Sequence, residues 1–284
     1  DNINHFLNYS EKVTTELGDL IDIVCTINEA NLTACFAHSW KSYPEHGMKM
    51  IMPYIEKAAE ECGTTLDNFG PFLFGHPFKI RDCMMEAHIK SVPLIKKILK
   101  NNQPVGVTLS IMDYQAIDGG EEMRDKAYAE SVDCCLEQVA NDDFVGVQMY
   151  TRHTYGPDGI IKPREDDPNM LVMGYEYYPE SLENVIRYVS SKIKTPIIVT
   201  ENGIGTDDDN QRIQYLTTAL EGLQKCLNDN IDVRGYFCWS LLDNFEWLYG
   251  YKPRFGLVEV NRETQERKVK KSFKFFKEVI DQSD

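Results

Sequence analysis

The sequence lacks any long hydrophobic run. No apolar stretch approaches the roughly 20 residues that a helix needs to cross a bilayer. The first residues, Asp1-Asn2-Ile3-Asn4-His5, also lack the basic start and apolar centre of a secretory signal peptide. We therefore expect a soluble, cytoplasmic protein with no membrane partner.

Positive charge is scarce relative to negative charge. The chain has 30 lysines and arginines against 45 aspartates and glutamates, for a net charge of −15. A phosphate backbone or an anionic membrane surface would be repelled by such a protein. The balance argues against nucleic acid as a partner and favours an uncharged substrate.

Metal-binding and nucleotide-binding patterns are also missing. The sequence has no Cys-x-x-Cys or His-x-x-x-His spacing and no glycine-rich phosphate loop, so we expect neither a metal nor another cofactor. Cys25 and Cys238 lie in apolar runs, and Cys134 and Cys135 are adjacent on a predicted helix. A chain of this size does not need disulfides for stability, and we expect thiols.

Strands and helices alternate along the chain. Five runs rich in Val, Ile and Phe predict buried strands at 21–27, 104–111, 143–150, 195–201 and 233–241. Helical spacing of apolar residues predicts helices at 4–17, 48–62, 81–100, 121–140, 180–193, 210–228 and 268–280. Glycines and prolines in 152–179 predict a long loop. The alternation indicates an α/β protein with a covered parallel sheet, which we expect to be one domain over residues 1–284.

Two glutamates follow predicted strands. Glu201 ends the run Pro196-Ile197-Ile198-Val199-Thr200, and Glu29 comes shortly after the strand at 21–27. The carboxyl ends of the strands in a parallel α/β barrel all lie on one face, where catalytic residues are found. Paired carboxylates flanking one bond are typical of glycoside hydrolysis.

Three motifs carry a more specific resemblance. They are Thr26-Ile27-Asn28-Glu29-Ala30, Thr200-Glu201-Asn202-Gly203 and Trp239-Ser240-Leu241-Leu242-Asp243-Asn244-Phe245-Glu246-Trp247. In this order they are similar to the T-x-N-E-P motif, the T-E-N-G motif and the sugar-binding segment of family-one glycoside hydrolases. The chain thus resembles the C-terminal part of that retaining β-glucosidase family, although Ala30 replaces the proline of the first motif. The resemblance implies an incomplete (β/α)8 TIM barrel with about five parallel strands.

The resemblance also implies catalytic roles for the two glutamates. Glu201 would be the nucleophile and Glu29 the general acid/base, while Asn28 would hydrogen-bond the sugar 2-hydroxyl. A retaining mechanism requires one ionised and one protonated carboxyl, about 5–5.5 Å apart. Their surroundings must therefore separate their pKa values.

Further residues would contact the sugar. Tyr150 lies where the family has a tyrosine that hydrogen-bonds the nucleophile, and such a donor would keep Glu201 ionised. Trp239 would form a platform for the pyranose ring, and Glu246 and Trp247 would contact its distal hydroxyls. Because the Glu246 carboxylate would repel phosphate, the resemblance implies unphosphorylated β-glucosides or β-galactosides as substrates.

A closed barrel needs eight strands, and this sequence supplies five. In the family the first three strands contribute a glutamine, a histidine and an arginine to the site, and these have no counterpart here. An open sheet would expose two strand edges, so we expect a homo-oligomer or an additional N-terminal segment that covers them. A naturally short relative is a third explanation.

The function itself has two interpretations. The chain is a β-glycosidase whose activity is reduced by the missing strands, or a non-catalytic carbohydrate-binding or scaffold protein that retains the motifs. Release of an aryl group from an aryl β-glucoside distinguishes the two.

Overall fold

The computed structural model describes residues 2–39, 45–70, 75–162 and 167–283. In chain order, its helices are α1 (Asn2–Leu17), α2 (Leu32–Ser39), α3 (Glu45–Glu61), α4 (Pro77–Ile98), α5 (Glu121–Tyr128), α6 (Cys134–Gln138), α7 (Ser181–Lys192), α8 (Asp209–Asn228) and α9 (Lys271–Gln282). The strands are β1 (Val24–Cys25), β2 (Val105–Ser110), β3 (Asp113–Ala116), β4 (Phe144–Gln148), β5 (Arg152–Gly156), β6 (Gly159–Ile160), β7 (Ile197–Asn202), β8 (Val233–Cys238), β9 (Val258–Val260) and β10 (Arg267–Val269).

Five strands form the main sheet, in the order β1-β2-β4-β7-β8, and every neighbouring pair is parallel. The sheet is strongly curled, and helices lie between successive strands in the chain. This is the arrangement of an incomplete (β/α)8 barrel, and it confirms the fold expected from the sequence.

The continuous apolar runs explain why these strands are central. Every residue of β2 and of β4 is buried, as expected for strands that are covered on both faces. Helix starts are also encoded locally: Pro77 occupies the first turn of α4, and the Asp208 carboxylate caps α8 by accepting a hydrogen bond from Asn210 N at 2.9 Å. The main core lies between the sheet and its covering helices.

The predicted segments differ from the observed ones in several places. The strand expected at 21–27 is reduced to β1, and the helix expected at 121–140 is interrupted by a π-helical turn, Ala129–Asp133. The segment 152–179 is not all loop, because β5 pairs in parallel with β3 and in antiparallel with β6. Residues 163–166 of that segment lie outside the described residues.

The two outermost strands leave apolar side chains exposed. Leu20 and Ile23, just before β1, are 81% and 45% exposed, and Phe237 in β8 and Leu241 just after it are each 57% exposed. The edges that the strand count predicted are therefore present, and they are apolar. Within the described ranges, none of the helices has both the length and the apolar composition to cross a bilayer.

Candidate active site

The residues singled out by the sequence gather at the carboxyl ends of the main sheet. Glu201 lies in β7 and pairs in register with Gln148 at the end of β4. Glu29 follows β1, and Trp239 follows β8 with its backbone N–H donating to Asn202 O at 2.9 Å. The sheet therefore brings residues separated by up to 210 positions in the sequence to one edge.

The Glu201 carboxylate accepts two side-chain hydrogen bonds. Gln148 Nε2 donates to Oε1 at 2.7 Å, and the Tyr150 hydroxyl donates to Oε2. Partial burial raises the pKa of Glu201, the Tyr150 hydroxyl lowers it, and the negative charge of Glu246 raises it. The net direction is upward, so the donor expected to keep this carboxyl ionised is outweighed by desolvation.

Gln148 links the two glutamate motifs. Its amide nitrogen also donates to Asn28 Oδ1 at 2.9 Å, and Thr108 Oγ1 donates to the same oxygen at 3.2 Å. Both partners of the amide nitrogen are acceptors, so the NH₂ group and not the oxygen must face them. Gln148 is therefore the residue that joins Asn28 to Glu201.

Glu29 has an unusual backbone conformation. Its φ is +49°, in the left-handed region that costs energy for a residue with a side chain. The conformation is held from β2: Glu29 N donates to Thr108 Oγ1 at 2.9 Å, and Ala30 N donates to Thr108 O at 3.2 Å. These bonds fix the direction in which the carboxyl leaves the chain.

Burial raises the pKa of Glu29 to about 8, with a further increase from the charge of Glu201. A hydrogen bond with Ser110 acts in the opposite direction, and the more distant charge of Glu246 adds to the increase. The half-buried Glu29 is therefore protonated at neutral pH. The influence of Glu201 on this pKa also means that the two carboxyls are close enough to interact.

Asn31 is a further residue of the site, and the sequence analysis did not identify it. It is fully buried, and its Nδ2 donates to Ser110 O and to Ser131 O, both at 2.8 Å. Its Oδ1 accepts from Ser110 N at 2.8 Å. The side chain thus ties the loop that carries Glu29 to β2 and to the π-helical turn. An asparagine within an apolar segment was the available signal.

The segment 239–247 carries the remaining predicted contacts. Trp239 is half-buried, and Glu246 is half-buried and accepts from Asn244 Nδ2 at 3.1 Å. Trp247 is 77% exposed, so its indole faces solvent at the rim of the site. The charge of Glu246 acts on both other glutamates, which places the three carboxyls in one group.

A buried ion pair anchors this segment. Lys270 Nζ lies 3.0 Å from Asp243 Oδ1, which also accepts from Gly256 N at 2.9 Å. Lys270 Nζ donates in addition to Gly256 O at 2.7 Å.

The ends of strands β7 and β8 are close together near Gly203, where a Cβ atom would lie 2.1 Å from Trp239 O.

A separate cavity of about 500 Å³ lies between α5 and α7, lined among others by Asp113, Arg124, Asp133 and Lys192. Its charges are paired, with Lys192 Nζ 2.9 Å from Asp133 and Arg124 2.8 Å from Asp125. This cavity is distinct from the glutamate group.

Among the residues that the structure describes, no three histidine, cysteine, aspartate or glutamate side chains are grouped so that they could hold a metal ion.

Comparisons with known proteins identify the family of this chain. The family model described as glycosyl hydrolase family 1 matches residues 140–284, which include Glu201 and the segment 239–247. Beta-glucosidase A of Thermotoga maritima is 37% identical over 303 residues, covering 97% of this chain and 67% of the relative, so that the Glu29 segment falls within the aligned region.

Two solved structures are also similar. The apo structure of a beta-glucosidase has a TM-score of 0.87 and 35% identity, over 100% of this chain and 68% of that one. A crystal structure of a beta-glycosidase has a TM-score of 0.88 and 38% identity, over 98% and 66% respectively. The chain spans about two thirds of the length of these proteins. It belongs to glycosyl hydrolase family 1.

Proposed function

We propose that the chain provides the catalytic carboxyls of a retaining β-glycosidase. The observation that supports this most strongly is the contrast between the two glutamates. Glu201 accepts hydrogen bonds from Gln148 and Tyr150, as a nucleophilic carboxylate requires, whereas Glu29 has its pKa raised to about 8 and keeps its proton at neutral pH.

The proposed reaction has two steps. In the first, a Glu201 oxygen attacks the anomeric carbon while Glu29 gives its proton to the glycosidic oxygen, and the bond to the aglycone breaks. In the second, water attacks the same carbon and gives a proton to Glu29, and Glu201 leaves as a carboxylate. The net result is hydrolysis with retained configuration.

The remaining predicted residues would bind the sugar. Asn28 would contact the 2-hydroxyl, and its hydrogen bonds from Gln148 and Thr108 support this role. Trp239 would cover the apolar face of the ring, and Glu246 and Trp247 would contact the distal hydroxyls. Tyr150 would act on the sugar site indirectly, because its hydroxyl donates a hydrogen bond to Glu201. The negative charge of Glu246 favours unphosphorylated β-glucosides or β-galactosides.

Hydrolysis of aryl β-glucosides tests the proposal. Glu201→Gln should abolish release from all of them, because a neutral amide replaces the attacking carboxylate. Glu29→Gln should abolish release of a poor leaving group such as phenol. Its first-step release of 2,4-dinitrophenol, which needs no proton, should be spared and should appear as a burst, because Glu29 is then missing as the base of the second step. Glu221→Gln, at an exposed position of α8, is the matched control and should have no effect. Equal release by all variants contradicts the proposal.

A second candidate is carbohydrate binding without turnover. The exposed Trp247 and the open sheet favour it, since an indole at the rim can bind a sugar even where the rest of the site is incomplete. Glucoside binding by calorimetry that depends on Trp247, with no aryl release by the unmodified chain, would support this function over hydrolysis.

We also propose that the chain works as a homo-oligomer in the cytoplasm. The exposed Leu20, Ile23, Phe237 and Leu241 beside the unpaired edges of β1 and β8 favour an additional covering surface. Adjacent thiols at Cys134 and Cys135 fit a reducing compartment. Light scattering that gives a stable monomer would contradict self-association, and a further polypeptide segment would then be the covering element. Cell fractionation tests the location.

A further inference from the structure

Two adjacent thiols lie outside the glutamate group, on the outer side of the sheet. Cys134 Sγ and Cys135 Sγ are 3.9 Å apart at the start of α6, directly after the π-helical turn. Cys134 is half-buried and Cys135 is buried. The Cys134 thiol is therefore accessible to a small molecule from solvent, and the buried Cys135 thiol contacts it from the protein interior.

A guanidinium group lies next to this pair. The Arg81 side chain is 12% exposed, donates to Glu130 O and lies 2.6 Å from Asp82 Oδ1. Cys134 Sγ contacts the same Glu130 carbonyl at 3.7 Å. The Arg81 guanidinium and the Cys134 sulfur thus lie next to each other, because both contact the Glu130 carbonyl oxygen.

These neighbours change the acidity of Cys134. The hydrogen bond with Cys135 lowers the pKa of Cys134 and burial raises it. The charge of Arg81 lowers this pKa and that of Asp82 raises it, and the result is a pKa of about 7. The turn itself carries two carboxylates. Glu130 pairs with His38 at 3.2 Å and Lys126 at 3.8 Å, and Asp133 pairs with Lys192 at 2.9 Å. Because the thiolate is the nucleophile, such surroundings are typical of reactive cysteines.

We propose that Cys134 is a site of reversible modification by small-molecule disulfides, with Cys135 and Arg81 as its supporting groups. The Cys134 thiolate attacks one sulfur of the disulfide and forms a new S–S bond with it. The original S–S bond breaks, its electron pair stays on the second sulfur, and that sulfur leaves as a thiolate that takes a proton from water. The disulfide is the oxidant, and the reverse reaction with a thiol restores Cys134.

The adduct is expected to persist and not to convert into a Cys134–Cys135 disulfide. Consecutive Cα atoms are about 3.8 Å apart across a trans peptide, which is below the usual separation of about 4.4–6.8 Å in disulfides. Closing the bond within a helix would require the helix to deform. Cys135 therefore remains a thiol in hydrogen-bond contact with Cys134.

Treatment of the chain with oxidised glutathione at pH 7, followed by peptide mass mapping, tests the site. A mixed disulfide should form at Cys134 severalfold faster than at the exposed Cys62 and Cys83, and dithiothreitol should remove it. Cys134→Ser should abolish this adduct, and Cys83→Ser should leave it unchanged. Faster modification of Cys62 or Cys83, or a Cys134–Cys135 disulfide as the product, would overturn the proposal.

Iodoacetamide labelling as a function of pH tests the supporting groups. The rate at Cys134 should have its midpoint near pH 7 in the folded chain and near the ordinary value of about 8.5 in urea. Cys135→Ala and Arg81→Gln should each move the folded midpoint upward. If circular dichroism shows both variants folded and neither midpoint moves, the assigned role of these residues is wrong. None of these measurements depends on glycosidase activity.

Discussion

Gln148 and Glu201 occupy paired positions on neighbouring strands, with Gln148 Nε2 2.7 Å from Glu201 Oε1 and 2.9 Å from Asn28 Oδ1. One amide thus orients both the proposed nucleophile and a proposed sugar contact. We expect Gln148→Ala to lower kcat/KM on an aryl β-glucoside by about 10- to 100-fold, because a hydrogen bond to a charged group contributes roughly 1.5–3 kcal/mol.

Gln148→Asn provides the matched comparison for this prediction. This variant keeps the amide but is one methylene shorter, so its nitrogen should not reach both Asn28 Oδ1 and Glu201 Oε1. Its kcat/KM should therefore fall in part. Unchanged kcat/KM in both variants would show that the amide has no part in orienting Glu201.

The Tyr150 hydroxyl lowers the pKa of Glu201. Tyr150→Phe should therefore raise that pKa, and activity at pH 5–6 should fall more than activity at pH 7 because less of the proposed nucleophile, Glu201, is ionised. Carbon-13 NMR titration of the glutamate carboxyls, assigned with Glu201→Gln, measures the shift directly. Tyr188→Phe is the control, since its hydroxyl donates to Asp133 on the outer side of the sheet. A lower Glu201 pKa in Tyr150→Phe would contradict the assignment.

The raised pKa of Glu29 makes stability depend on pH. Between the unfolded value near 4.3 and the folded value of about 8, the folded state holds a proton that the unfolded state has released. The free energy of unfolding must then fall as pH rises through this window. Glu29→Gln removes the effect and should raise the free energy of unfolding at pH 8 by about 4–5 kcal/mol.

The same variant should have little effect on stability at pH 4, where Glu29 is protonated in both states. Urea unfolding at the two pH values measures the difference, with Glu221→Gln as the exposed control. Equal effects of Glu29→Gln at both pH values would show that the carboxyl has an ordinary pKa.

Lys270 and Asp243 form a pair whose side chains are 13% and 6% exposed. Removal of one partner leaves a buried charge uncompensated, so Lys270→Met should lower the free energy of unfolding by about 3 kcal/mol in urea titrations. Lys12→Met breaks an exposed pair with Glu16 at 2.8 Å and should change it by less than about 0.5 kcal/mol. Similar small effects for both variants would contradict the anchoring role of Lys270.

Apolar runs made the five sheet strands predictable. Buried parallel strands need continuous apolar sequence, and β2, β4 and β7 have it. β1 is shorter than expected because the sequence 21–27 lies at a sheet edge, where one side lacks a pairing strand among the described residues. β5 was missed because its partner β3 comes from a different part of the chain.

The sequence allowed us to predict which site residues lie near one another, but not how they contact one another. The position of Glu29, Tyr150 and Glu201 at strand ends placed them on one edge. The double contact of Gln148 and the anchoring by Asn31 were not predictable, because both depend on the register of strands and on a π-helical turn. A π-helical turn contains one residue more than a turn of α-helix, and the helical periodicity of the sequence does not reveal it.

The contact between Gly203 and the Trp239 carbonyl limits how this protein can be varied. Even a methyl group at position 203 would overlap that oxygen and force the end of β7 away from Trp239. Libraries that aim to alter sugar preference should therefore keep Gly203 constant and diversify position 247, whose side chain is 77% exposed.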